Sequence, residues 1–247
     1  MNAPDAVRHY FTAQVFLTRL PAPCWVGYDP AWMPLSCAWF PLVGALVGGL
    51  SGATFWLVAS YSTAAVGAVC AVIVAVLLTG ALHEDALADT ADGIGGGRDQ
   101  AQTLAIMRDS TIGSYGAVAL ILAMALRIAL LTALGIEHAI GALVLAHSLA
   151  RASVLPLMAK LRYLRESGVG SPFVAAFPTG TLAVCAALVL IIVGFLDGVI
   201  ALIVAATVAA CSLLYFQRRL GGITGDGFGA VIIVVELAVL LSEAIRA

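Results

Sequence analysis

Charge is scarce in this sequence. Of its 247 residues, 12 are Lys or Arg and 14 are Asp or Glu, while 62% are hydrophobic and the mean hydropathy is +1.06. A soluble domain carries about 25% charged residues, so the 11% found here excludes an ordinary soluble enzyme, a disordered chain and a small secreted domain. The net charge of −2 gives no sign of a nucleic-acid partner. The composition predicts a helical membrane protein.

Paired cysteines are also lacking. The five cysteines are odd in number and widely spaced, and no C-x-x-C motif joins two of them. This pattern indicates neither a zinc site nor a disulfide framework. We interpret these residues as small apolar packing groups.

The N-terminus lacks the unbroken apolar run of a signal peptide, because Asp5, Arg8 and Arg19 interrupt it. Apolar residues instead recur near a helical period up to Pro21, which predicts an amphipathic helix on the membrane surface. Aromatic residues favour the membrane interface, and three follow this helix: Trp25, Tyr28 and Trp32. We therefore predict an interfacial segment over residues 1–34.

Seven apolar segments approach the length of about 20 residues that a bilayer core requires. They cover about 35–59, 63–82, 112–134, 137–159, 181–196, 198–216 and 228–245. Because the fifth and sixth run together, six to eight crossings are compatible with the sequence. No polar stretch is long enough for a separate soluble domain, so residues 1–247 are predicted to form one all-α polytopic bundle in the membrane.

Basic residues are distributed unevenly among the predicted loops. With seven crossings, nine share a side with the N-terminus, and only Arg246 lies on the other: Arg8, Arg19, Arg98, Arg108, Lys160, Arg162, Arg165, Arg218 and Arg219. Basic loops remain in the cytoplasm. The N-terminus and three long loops are therefore predicted to be cytoplasmic.

Four acidic residues crowd the end of the second predicted span: Glu84, Asp85, Asp89 and Asp92. If the helix continues through them, the three aspartates lie at i, i+4 and i+7 on one face. They would also lie at the negative, C-terminal end of the helix dipole, where carboxylates are unfavourable without a cation. Hard oxygen ligands indicate Mg²⁺, with Mn²⁺ or Ca²⁺ as alternatives.

Glycines and arginines follow this acidic cluster. Gly93, Gly95, Gly96 and Gly97 permit close approach of a ligand to the backbone, and arginine grips phosphate through paired contacts, here from Arg98 and Arg108. We predict that residues 83–111 form a catalytic loop that binds a diphosphate ester. The alternative is a solvated acidic loop at a helix end.

Two further segments carry candidate residues. Asp109 or Ser110 is predicted to cap the helix of the third span, whose N-terminus would also favour a phosphate. Residues 217–230 form a predicted glycine-rich loop in which Asp226 is a candidate ligand or base. The neighbouring candidates for substrate binding are Gly222, Thr224 and Gly225.

Ionisable residues inside predicted spans are functional candidates. Arg127 and Glu236 are expected to form a buried structural pair. His147 and Arg151, spaced i and i+4, are candidates either for ligand binding or for packing. The basic group Lys160, Arg162 and Arg165 is expected to anchor to anionic lipid or to attract a phosphorylated substrate.

Several of these motifs resemble the cobalamin synthase family, the adenosylcobinamide-GDP ribazoletransferases. The resemblance spans essentially the whole chain and rests on H-E-D-A-L-A-D-T-A-D-G-I-G-G-G from His83, M-R-D-S-T-I-G-S-Y-G from Met107, G-G-I-T-G-D-G-F-G-A from Gly221 and F-L-T-R-L-P from Phe16. It implies a bacterial inner-membrane enzyme with Mg²⁺ as cofactor. In that family α-ribazole, or its 5′-phosphate, attacks adenosylcobinamide-GDP and GMP leaves.

The resemblance also suggests roles for the candidate residues. Asp85, Asp89 and Asp92, with Glu84, would bind one or two Mg²⁺ ions that bridge the diphosphate, and metal ions and arginines would be the main sources of rate. Arg98 and Arg108 would neutralise charge on the leaving GMP, and either Asp109 or Asp226 would accept the proton of the ribose hydroxyl. A homo-oligomer and protein partners in corrin assembly are compatible with this family.

Two other functions each match part of the sequence. Asp89 to Gly93 matches the beginning of the D-x-x-D-G motif of CDP-alcohol phosphotransferases, but the later aspartates of that motif are missing. An ion-coupled transporter would use Arg127, His147 and Glu236 as a relay within the membrane. The transporter is disfavoured, because the acidic residues cluster at a helix end and no internal repeat is evident.

Overall fold

The computed structural model describes residues 3–27, 29–165 and 178–247, and the regular elements within these ranges are helices. Single 3₁₀ turns, Pro30–Trp32 and Cys37–Trp39, flank α2. The helices are α1 (Ala3–Leu17), α2 (Met33–Ser36), α3 (Phe40–Tyr61), α4 (Ala64–Thr79), α5 (Leu82–Gly96), α6 (Gln100–Ile106), α7 (Ser114–Ala152), α8 (Val154–Lys160), α9 (Thr179–Phe195), α10 (Val199–Leu220) and α11 (Gly225–Arg246). The predicted all-α architecture is confirmed.

Fewer helices than predicted are long enough to cross a membrane. Within the described residues, four stretches are long and apolar enough: Pro30–Tyr61, Ser114–Lys160, Val199–Leu220 and Gly225–Arg246. A fifth is added if α4 and α5 are counted together. The expected count of seven is not reached by this criterion. One reason is length, because α4 has 16 residues and α9 has 17, fewer than the roughly 20 that a bilayer core needs. The other is that the stretch Ser114–Lys160 covers two of the predicted segments.

The longest helix, α7, is a hairpin of two segments. Gly135 has φ 68° and ψ −178°, outside the helical region. Arg127 Nε and His147 Nδ1 lie 2.8 and 3.3 Å from the two carboxylate oxygens of Glu236. A straight helix would separate residues 127 and 147 by about 30 Å. The chain therefore reverses at Gly135, where the sequence predicted a boundary between two segments.

Glycines allow α3 to pack closely against the second segment of α7. A Cβ atom on Gly44 would lie 2.3 Å from the carbonyl oxygen of His147, and one on Gly48 would lie 2.3 Å from that of Leu143. Only a residue without a side chain fits at such distances. Small residues at helix contacts are the usual means of close packing in membrane proteins.

The acidic helix α5 is separated from α4 by a sharp break. Gly80 and Ala81 both adopt left-handed conformations, with φ of 66° and 59°, and α5 leaves at 89° to α4. The expectation that the acidic residues end the second span was wrong, because Glu84 and Asp85 lie in the first turn of a new helix. The dipole of α5 therefore stabilises these carboxylates instead of opposing them.

The N-terminal helix packs on the bundle. Ala13 and Leu17 of α1 are buried in the core, while Trp25, in the connection that follows, is exposed. The backbone N–H of Arg19 donates to the carbonyl of Leu78 in α4 (2.7 Å). The predicted interfacial residue Tyr28 lies outside the described residues. Through these contacts, the chain after α1 lies beside the end of α4.

Candidate active site

A buried ionic network lies at the centre of the bundle. Arg127 forms ion pairs with Glu236 (Nε to Oε1, 2.8 Å) and with Glu84 (Nη1 to Oε1, 3.1 Å). His147 Nδ1 lies 3.3 Å from Glu236 Oε2, and Arg151 Nη1 lies 3.1 Å from both His147 Nδ1 and the His147 carbonyl oxygen. The predicted pairing of Arg127 with Glu236 is confirmed.

This network includes residues whose roles the sequence left open. It contains two carboxylates and two guanidinium groups, so its formal charge balances when His147 is neutral. Arg127 and Glu236 are each 2% exposed, and Arg151 is 1% exposed. Buried charges persist only when they are paired and hydrogen-bonded. Glu84, predicted as a metal ligand, thus serves as a partner of Arg127, and His147 and Arg151 lie in the same structural network.

Asp92 caps the first segment of α7. Its Oδ2 accepts a hydrogen bond from the N–H of Gly113 (2.7 Å), and its Oδ1 accepts one from the N–H of Gly116 (2.9 Å). The prediction that Asp109 or Ser110 caps this helix was wrong, since the cap residue Gly113 has no side-chain cap and the acceptor comes from α5. Both oxygens of Asp92, a predicted metal ligand, are engaged in this cap.

The remaining two aspartates of α5 face a third from α11. Asp85 is exposed and Asp89 is half-buried, and both lie within electrostatic range of Asp226 in the first turn of α11. Asp226 Oδ2 accepts a hydrogen bond from Arg165 Nη2 (2.5 Å), which also donates to the carbonyl of Met107 (3.1 Å). Three carboxylates and one arginine therefore gather between α5 and α11.

From the sequence, Arg165 was expected, with Lys160 and Arg162, to anchor to anionic lipid or to attract a phosphorylated substrate, and its contact with Asp226 was not expected. A basic group at the end of α8 carries no signal that one of its arginines contacts α11. Its position is fixed by an isolated parallel bridge between Tyr163 and Ile223, in which the N–H of Leu164 donates to the carbonyl of Ile223 (2.9 Å). This bridge is a long-range contact that no local pattern predicts.

The predicted glycine-rich loop at 217–230 is short. α10 extends to Leu220 and α11 begins at Gly225, so four residues connect them. Gly222 is required there, because a Cβ atom would lie 2.3 Å from the carbonyl oxygen of Arg162. Thr224 caps α11 by accepting a hydrogen bond from the N–H of Gly227. Close backbone packing thus explains the glycine at position 222, and helix capping explains Thr224. Gly225 lines the cavity described below.

The glycines at the end of α5 have packing roles. A Cβ atom on Gly93 would lie 2.3 Å from the Met107 side chain, and one on Gly97 would lie 2.2 Å from Thr103 Oγ1. A Cβ atom on Gly95 would lie 2.5 Å from the Tyr115 ring, while Gly96 is exposed. These glycines let α5 pack against α6 and the start of α7. Their predicted role in substrate binding stays a prediction.

Arg98, Arg108 and Asp109 are exposed near the end of α5 and around α6. The Thr111 hydroxyl and amide both donate to Asp109, and they hold the pKa of its carboxyl below its usual value. Asp109 does not line the cavity that contains Asp85 and Asp226.

A mostly apolar cavity of about 270 Å³ adjoins the carboxylates. Asp85, Asp226 and Arg165 contribute its charged lining, and His83 is a further polar residue there. Two stacked aromatic pairs also line it, with ring centroids 6.1 Å apart for Phe16 and Phe40 and 6.4 Å apart for Tyr163 and Phe228. Aliphatic residues complete the wall: Leu17, Val154, Met158 and Ile232.

The carboxylates fit Mg²⁺ in chemical type. Mg²⁺ prefers oxygen ligands and commonly uses one or two carboxylates together with substrate phosphates and water. Asp85 and Asp89 have this character, with Asp226 nearby. Among the described residues, no three His, Cys, Asp or Glu side chains converge as a metal cage.

The fold defines a polytopic helical membrane protein, with carboxylates, an arginine and an apolar cavity gathered between α5, α11 and the segment after α8. Residues 9–244 match the family model described as cobalamin-5-phosphate synthase. The chain belongs to this family, and the resemblance drawn from its motifs is confirmed.

Curated relatives agree with the family model. A protein of Ralstonia nicotianae is 41% identical over 246 residues, covering 96% of this chain and 94% of that protein. One from Shewanella sp. (strain W3-18-1) is 36% identical over 240 residues, covering 94% and 92%, respectively. Both are named adenosylcobinamide-GDP ribazoletransferase. No solved structure matches the chain significantly. Family membership favours this transferase over the phosphotransferase and transporter alternatives.

Proposed function

We propose that this protein is an adenosylcobinamide-GDP ribazoletransferase. A ribose hydroxyl of α-ribazole, or of its 5′-phosphate, attacks the corrinoid-side phosphorus of adenosylcobinamide-GDP. The new phosphorus–oxygen bond replaces the bond to GMP, which leaves with the electron pair, and the hydroxyl proton passes to a base. The family and the names of the relatives support this reaction.

The observation that carries the proposal is that Asp85 on α5 and Asp226 on α11 line one cavity, with Asp89 within electrostatic range of both. Enzymes catalyse phosphoryl transfer mainly by positioning the two substrates and neutralising charge, and less by covalent catalysis. The carboxylate cluster provides a place for a cation, and the cavity provides a place for an apolar group. Arg165 holds Asp226 in position between them.

Asp85 and Asp89 are the proposed holders of Mg²⁺. When bound, Mg²⁺ neutralises the diphosphate and stabilises the charge that develops on the leaving group. Asp226 is favoured over Asp109 as the proton acceptor, because Asp226 lines the cavity and Asp109 does not. Arg98 and Arg108 are exposed and are proposed to contact the GMP portion.

The distribution of basic residues supports a cytoplasmic location for the site in a bacterial inner membrane. Arg165 and Arg219 contact the site end of the bundle, through Asp226 and the carbonyl of Gly97, respectively. Arg246 lies at the opposite end of α11, where it pairs with Asp197 and Glu243. A surplus of basic residues marks the cytoplasmic side.

The test is GMP release by the purified protein in lipid, supplied with adenosylcobinamide-GDP, α-ribazole 5′-phosphate and Mg²⁺. We expect turnover that EDTA abolishes and that excess Mg²⁺ restores. Asp89→Asn should abolish turnover in a folded protein. Asp99→Asn is the matched control, because Asp99 caps α6 by accepting from the N–H of Gln102 and asparagine caps equally well. Absence of turnover in the wild type, or turnover indifferent to EDTA, would overturn the proposal or its metal, respectively.

A further inference from the structure

His83 lines the apolar cavity and carries an unexplained buried polar atom. The residue is 4% exposed and lines the cavity, and its Nε2 has no hydrogen-bond partner among the described residues. Leaving a buried polar group unpaired is unfavourable, so such an atom in a native protein requires an explanation. A ligand that brings one hydrogen-bonding atom into this cavity would provide one.

The size and lining of the cavity restrict that ligand. At about 270 Å³, the cavity is smaller than the 300–1,000 Å³ typical of sites for drug-sized molecules, so a corrin macrocycle does not fit. Guanine carries several donors and acceptors around its ring. An apolar wall would leave most of them unpaired, which is unfavourable. A flat, largely apolar ring with a single acceptor atom fits best.

We propose that this cavity binds the base of the acceptor nucleoside, with His83 Nε2 donating to the free ring nitrogen of that base. The inference rests on the proposed function, since α-ribazole carries dimethylbenzimidazole, a flat bicyclic base with apolar methyl groups and one free ring nitrogen. The stacked pair Tyr163 and Phe228 and the pair Phe16 and Phe40 line the cavity. Bases stack favourably on aromatic side chains.

This location places the ribose correctly for the reaction. Asp85 and Asp226 line the same cavity as His83. A base in the apolar part therefore brings its ribose toward the carboxylates, where the hydroxyl meets its proton acceptor. His83 acts here as a specificity-determining residue for the base and takes no part in the transfer itself.

The test compares nucleosides that differ only in the base. The wild type is assayed for GMP release with α-ribazole and with the matching indole riboside, in which a carbon replaces the free ring nitrogen. Loss of one hydrogen bond should raise the KM for the indole compound about 3- to 10-fold. His83→Leu should raise the KM for α-ribazole by a similar factor and leave the KM for the indole compound unchanged.

Filling the cavity provides an independent test. Met158 lines the cavity and is 6% exposed, so Met158→Trp should raise the KM for α-ribazole at least tenfold while leaving the KM for adenosylcobinamide-GDP unchanged. Met124→Trp is the matched control, because Met124 is partly buried in α7 and does not line the cavity. Calorimetric titration with α-ribazole alone should show weaker binding to Met158→Trp than to the wild type and to Met124→Trp.

The outcomes separate this inference from the proposed function. If the wild type turns over but prefers neither nucleoside, or if His83→Leu keeps the preference and Met158→Trp binds α-ribazole normally, the base does not occupy this cavity. If the wild type neither binds α-ribazole nor releases GMP, the proposed function itself fails.

Discussion

Replacement of Asp92 distinguishes a helix cap from a metal ligand. Both oxygens of Asp92 accept backbone N–H groups of α7, at 2.7 Å from Gly113 and 2.9 Å from Gly116. Asp92 is 8% exposed. Asp92→Ala removes both acceptors at the positive end of the helix dipole, and Gly116 is buried, so water replaces its hydrogen bond poorly.

The cost follows from these contacts. A hydrogen bond to a charged group contributes about 1.5–3 kcal/mol, whereas loss of a helix cap costs about 0.5–2 kcal/mol. Since water can reach Gly113, we expect Asp92→Ala to lower the free energy of unfolding by about 2–4 kcal/mol. For a chain of this size, that corresponds to a fall in Tm of about 4–16 °C.

The assay is thermal unfolding in detergent, with and without Mg²⁺. Asp85→Ala is the matched control, since it makes the same chemical change on the same helix at an exposed position. The Tm of Asp92→Ala should fall equally in both conditions, and that of Asp85→Ala, which loses only a favourable interaction with the helix dipole, should fall much less without Mg²⁺. If Asp92→Ala is as stable as the wild type without Mg²⁺ and loses only stabilisation by Mg²⁺, Asp92 is a metal ligand and the cap is unimportant.

Three further results are expected. Gly48→Ala should strongly lower the Tm, because its Cβ would lie 2.3 Å from a carbonyl oxygen of α7, whereas Gly49→Ala, with nothing within 4 Å, should not; equal effects would contradict the close packing of α3. Glu236→Gln should destabilise the protein by about 3–5 kcal/mol, since it leaves Arg127 with one carboxylate partner in a buried network, and chemical unfolding that shows no loss would refute this. Asp109→Asn should keep at least half of the rate of GMP release, and complete loss would restore Asp109 as the proton acceptor.

Local patterns predicted much of the architecture. Apolar runs of suitable length identified the helical segments, and the boundary at residues 134–137 was correct because a single glycine interrupts two apolar runs. The sequence predicted the pairing of Arg127 with Glu236 correctly, because two opposite charges isolated in apolar surroundings have few other partners. The motifs around His83, Met107 and Gly221 were sufficient to identify the family.

The acidic cluster shows where local patterns failed. Spacing placed Asp85, Asp89 and Asp92 on one helical face and suggested one shared role. The structure divides the cluster, since Asp92 caps α7, Glu84 pairs with Arg127, and Asp85 and Asp89 lie near Asp226. Identical carboxylates four residues apart carry no local signal of which partner each will meet.

The sequence by itself determined the membrane environment, the helical class and the family, because composition and contiguous motifs are properties of the chain. Tertiary structure decided the assignment of each charge, since Arg165 reaches Asp226 only through the bridge between Tyr163 and Ile223, and His83 borders a cavity formed by α1, α3, α5, α8 and α11. Such contacts join residues distant in sequence. Their energies depend on distance and burial, which a linear pattern does not contain.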